Sequence, residues 1–165
     1  MTRWQHISVG HQKMNLILYN SKYVNLYTYL DPIFDAVPEF ANFYYLVTDL
    51  ECCGSDDERL SGEPVVISGF TLHEIIQKDE VQFIWGVFSA FNREPSIPTE
   101  LPSADGNSKF WEGSPTPQIK NAMFEIVCWD STATLFIGID HDIAAKLKVR
   151  YPDILDLDQE NGRRG

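Results

Sequence analysis

Cysteine is scarce in this chain: three in 165 residues, two of them adjacent at Cys52-Cys53. An odd number without C-x-x-C spacing supports neither a disulfide framework nor a zinc-finger type of site, and predicts reduced thiols. Long apolar runs are missing too. None approaches the roughly 20 residues that span a bilayer, and the opening MTRWQHISVGHQK carries polar groups where a signal peptide needs an unbroken apolar segment. These absences predict a cytoplasmic protein with no membrane association. Positive charge is the third shortage. The 13 Lys and Arg stand against 24 Asp and Glu, a net charge of −11, and such a surface repels nucleic acid and anionic membrane. Two explanations remain open: plain solubility, or attraction of a basic partner, whose association clustered acids accelerate and make selective.

Motifs that carry chemistry are absent as well. No G-x-G-x-x-G, Walker A or G-x-S-x-G stretch occurs, so phosphate cradles and hydrolase elbows have no support. The histidines, His6, His11, His73 and His141, form no H-E-x-x-H pair. His141 stands between Asp140 and Asp142, with Ser131 one hairpin away, but it belongs to the first turn of a predicted helix, where exposure explains it better than a Ser–His pair does. Paired acids in so large an excess carry no specificity. The sequence therefore assigns no catalytic residue, no cofactor and no metal ligand, and reads as a non-enzyme.

What is present is globular: 44% hydrophobic and 13% aromatic residues, enough for one domain with a real core. The strongest signal lies in residues 122–152. Phe124, Ile126 and Cys128 alternate with Glu125, Val127 and Trp129, Asp130-Ser131-Thr132 supplies turn chemistry, and Leu135, Ile137 and Ile139 fall on one face of a return strand. Gly138 marks a bulge or a close crossing. Asp140 is placed to cap a helix whose apolar stripe is Ile143, Leu147 and Tyr151, and which Pro152 stops.

Earlier in the chain, residues 14–19, 43–50 and 81–91 read as strands, 64–67 as a short edge strand, and Trp4, Ile7 and Val9 as a further candidate. Val24, Tyr27 and Leu30 predict a helix, interrupted at Asp31-Pro32 and followed by a second short one. Thr71-x-x-Glu74 predicts a capped helix over 72–78. Residues 51–62 are a loop containing Asp56-Asp57-Glu58, within a region of nine acids against one base, Arg59. Residues 93–118 hold five of the nine prolines and read as a long loop. Its one apolar spot, Phe110-Trp111 beside Glu112, is either a staple onto the sheet or an interface anchor. The expected architecture is α+β: a single domain over 1–155, mainly an antiparallel sheet of about five strands with two to four helices packed on it. Residues 156–165 are expected to be a disordered tail.

The run EIVCWDSTATLFIGIDHDIAAKLKVRYPD, a strand ending Trp129-Asp130-Ser131, its return, then a helix opened by Asp140 and closed by Tyr151-Pro152, resembles small bacterial α+β proteins. These include immunity proteins of polymorphic and contact-dependent growth inhibition toxin systems. The resemblance implies a stoichiometric inhibitor of a cognate toxin domain, often a basic nuclease, acting in the producer's cytoplasm. On that reading Asp56, Asp57 and Glu58 steer and neutralise a basic rim, Phe110 and Trp111 anchor the interface, and Glu112 adds a rim contact. The alternatives are a ligand-binding or scaffold α+β protein, or a small enzyme whose site is dispersed in sequence.

Overall fold

The computed structural model describes residues 12–165. One antiparallel sheet runs through all of them, built from β1 (Met14–Tyr19), β2 (Tyr44–Cys53), β3 (Val65–Ser68), β4 (Gln82–Phe91), β5 (Phe124–Trp129), β6 (Ala133–Ile139) and β7 (Leu155–Asp156). The spatial order is β3-β2-β4-β5-β6-β1-β7. The α+β class is as expected, with seven strands among the described residues rather than about five; two residues of β7 are too few to leave a period in the sequence. The candidate strand at Trp4, Ile7 and Val9 lies outside the described residues.

The sheet is buried on both faces. On one, Leu16, Leu18, Tyr45, Phe88, Ile126 and Phe136 join a large cluster roofed by α1 (Asp31–Ala36), α2 (Gly69–Lys78) and α3 (His141–Arg150). On the other, Ile17, Val87, Val127, Leu135 and Ile137 meet Ala104 and Phe110 of the 93–118 loop and Leu157 of α4 (Leu157–Arg164). A loop thus does the covering that a helical layer does elsewhere, which explains why β6 is buried along its whole length.

Local chemistry sets the element boundaries. Asp140 caps α3, its Oδ1 accepting from Ile143 N at 2.9 Å, and Ile143, Leu147 and Tyr151 are all buried, as their spacing requires. α2 starts three residues before the expected 72, because Ser68 rather than Thr71 supplies the cap, accepting from Thr71 N. At Trp129–Thr132 both Asp130 and Ser131 have positive φ, and Thr132 N bonds Trp129 O at 2.9 Å, the backbone of a type I′ turn.

Three expectations are corrected. Residues 20–30 are not helical: their backbone groups bond outward, with Thr28 O accepting from Phe83 N at 3.0 Å and Tyr27 O from the Gln82 side chain at 3.3 Å. Ile139 does not share a face with Leu135 and Ile137. Gly138, at φ +73, carries a bulge against β1, and the extra residue moves Ile139 into the helix-side cluster. The tail is not disordered: Asp156 caps α4 through Gln159 N, and Leu157 and Asn161 are buried. Asn161 donates to the carbonyls of Phe110 and Gly113, so this helix holds the loop in place.

Candidate functional site

Several of the acids of this chain are occupied in building it. Asp49 Oδ2 accepts from the N–H groups of Ala104 and Asp105, both at 2.8 Å, which ties the long loop to β2. Glu63 accepts from Asp49 N, Asp153 from Ser21 Oγ and Lys22 N, and Glu39 takes an ion pair from Lys146. Asp158 accepts from Asn15, whose own side-chain oxygen receives the bulge N–H of Gly138. Carboxylates used in this way fix backbone and are not free to greet a partner.

Against that background the predicted partner residues separate into two groups. Asp56 and Glu58 are exposed. Asp57 is engaged: it caps a short 3-10 turn (Glu58–Leu60) and holds Arg59 in a paired hydrogen bond, and that guanidinium pulls its carboxyl down to about 2. Leu60, at the end of this turn, is in the helix-side cluster, whereas Phe110 is in the cluster on the opposite face of the sheet. The six residues do not make one patch. Phe110, expected as a surface anchor, is 2% exposed and is the staple instead. Trp111 is half-buried, set edge-on to Trp129 at 4.9 Å, with the Arg164 guanidinium 4.9 Å above its ring, and Glu112 is exposed beside it.

The structure does place other groups around the acidic loop. Ser55 Oγ donates to Asp79 at 2.5 Å, and Gly54 lies so close to the Glu80 carbonyl that a Cβ there would sit 2.0 Å from its oxygen. The loop is thereby held against the end of α2, beside Asp79 and Glu80. Those two acids line a cleft of about 410 Å³, within the range of ligand sites. Tyr23, Tyr27, Tyr29 and Asp31 line it from the 20–31 segment, Arg150 and Tyr151 from the end of α3, and Leu18 and Thr134 from the sheet. Tyr23 is 49% and Leu26 64% exposed at its edge. The helix-like spacing of Val24, Tyr27 and Leu30 hid this cleft; the tyrosines recurring every two to four residues were the available sign.

Next to the cleft, α1 presents Asp31 and Asp35 one turn apart toward His73 of α2. His73 Nε2 lies 4.0 Å from Asp31 Oδ1 and 3.8 Å from Asp35 Oδ1. These three are the one group of His, Cys and acidic side chains among the described residues with metal-ligand proximity. Burial first, and the Asp35 carboxylate second, raise Asp31 above the ordinary carboxylate range, with His73 opposing. The sequence passed over His73 because its partners lie about forty residues upstream, in no motif spacing. The thiols offer no comparable group: Cys128 is buried and its pKa pushed up by desolvation, and Cys52 is raised likewise. Among the described residues no helix is long and apolar enough to cross a membrane. Compared with protein-family models, curated proteins and solved structures, the chain has no match in any of the three.

Proposed function

We propose that this chain is an acidic inhibitor of the immunity-protein kind, which neutralises a cognate toxin domain by covering its basic surface. The observation that carries the reading is contiguity: the acidic loop with Asp56 and Glu58 is held beside Asp79 and Glu80, which line a cleft also lined by exposed Tyr23 and Leu26. Acids at a rim raise association rates and select a basic partner. Tyrosines at the centre supply rigid contact area at small entropic cost. On this reading the binding face is the helix side of the sheet, Phe110 keeps an internal role, and the partner is a small basic domain such as a nuclease, met in the cytoplasm.

The competing reading is a ligand-binding protein, favoured by the cleft volume alone. The experiment is co-expression with the basic C-terminal domain of an exported protein encoded beside this chain. Growth should be restored and a one-to-one complex recovered. Charge reversal at Asp56, Glu58 and Glu80 together should slow association by about tenfold or more at low salt and flatten its salt dependence. Failure to protect, or a complex indifferent to the reversal, overturns the inhibitor.

A further inference from the structure

We propose that Asp31, Asp35 and His73 form a site for one divalent transition ion of the zinc and cobalt type, bound by an imidazole nitrogen and two carboxylate oxygens. Two atoms ask for such an occupant. Asp31 Oδ1 and His73 Nε2 are each shielded from solvent and have no hydrogen-bond partner, a costly condition that native structures relieve with a partner, a water or an ion. The imidazole nitrogen faces carboxylate oxygens at 3.8 and 4.0 Å. That is too long for a hydrogen bond, which would close to about 3 Å.

It is, however, the spacing of ligands about a shared centre. With all three atoms within 4.8 Å of one another, a point equidistant from them lies roughly 2.5 Å from each, a few tenths of an ångström outside zinc–nitrogen and zinc–oxygen bond lengths. Small side-chain rotations close the difference. The supports are in place: Asp31 and Asp35 share one face of α1, and His73 is fixed by the buried neighbours Leu72, Ile75 and Ile76 and by its ring packing 5.5 Å from Phe34. The donor set decides the ion. One nitrogen and two carboxylates suit zinc or cobalt, whereas calcium and magnesium prefer oxygen alone. Side-chain exposures of 41% for Asp31 and 66% for Asp35 leave room for water to complete the coordination.

The test is independent of any toxin. The full chain, stripped with a chelator, is titrated with zinc chloride by calorimetry and with cobalt chloride by absorbance, while the His73 imidazole protons are followed by NMR. One equivalent should bind in the micromolar range, shift the His73 signals, raise the melting temperature, and give weak visible cobalt bands without a thiolate charge-transfer band. Asp35→Asn, at an exposed position that leaves the fold intact, and His73→Gln should each weaken binding at least about tenfold and abolish the thermal shift. No saturable binding up to millimolar metal, an intense near-ultraviolet band from Cys52 and Cys53, or the parent's affinity retained in both variants overturns the site. So does a loss of stability in the variants with no metal effect in the parent, which would leave the trio an ion-pair clip between α1 and α2.

Discussion

Glu125 is a buried carboxyl with half of its hydrogen-bonding unmet. It is fully buried beneath the long loop; one carboxylate oxygen accepts from Gln118 N and the other has no partner. Desolvation pushes its pKa from 4.5 up to about 7, against the opposing pull of the Gln118 and Ile119 N–H groups. The folded state therefore holds this proton more tightly than the unfolded chain does. Its contribution to stability is complete below about pH 4.5 and is lost as pH rises to about 7, an effect bounded near 3 kcal/mol. Denaturant melts of Glu125→Gln between those limits should lack the decline that the parent shows. An identical decline in both proteins would mean that the carboxyl titrates normally.

At the scale of elements, the β5–β6 hairpin and the long loop fail in different ways. Ser131 occupies the second positive-φ position of the turn, at φ 55, which strains any side chain, while its N–H bonds Ile84 O at 3.1 Å whatever the residue. Ser131→Gly should raise stability by about 0.5–1 kcal/mol and slow unfolding, since glycine enters this region without steric cost. A lower melting temperature would argue against the type I′ geometry. The loop depends on Phe110, packed edge-on 6.0 Å from Trp129. Phe110→Ala should cost about 3–5 kcal/mol, and limited proteolysis should then cut within 93–118 before the sheet unfolds. Simultaneous digestion of loop and sheet would show that the loop is no separate unit.

Over the whole molecule the net charge is large, −11. The loop that carries Asp56 and Glu58 adjoins α2: Glu74 lies within reach of Arg59 and Lys78 within reach of Asp57, Gly54 abuts the Glu80 carbonyl, and Arg59 is already held by Asp57. Such crowding costs the folded state free energy that salt screens. Raising sodium chloride from about 0.05 to about 0.5 M should increase the melting temperature by a few degrees. Glu80→Lys should give most of that gain at low salt and reduce the further effect of salt. A melting temperature insensitive to both would place the acids too far apart to interact.

The chain by itself determined its hairpin, its α3 helix and its α+β class, because alternation of period two, a capping aspartate and a stop at Pro152 are local signals that act within a few residues. It also marked Phe110-Trp111 as the apolar point of a polar loop, though not which way it faced. Only the tertiary structure decided that Phe110 turns inward, that residues 20–30 give up a helix to bond β4, that Gly138 transfers Ile139 to the other face, and that the last residues form a helix. Each of these depends on a contact across more than forty residues, and burial against a distant partner outweighs the tenths of a kcal/mol per residue that local propensity contributes. For the same reason the Asp31–Asp35–His73 trio left no trace in the spacing, and the cleft none beyond its recurring tyrosines: their members meet only once the sheet has closed beneath them.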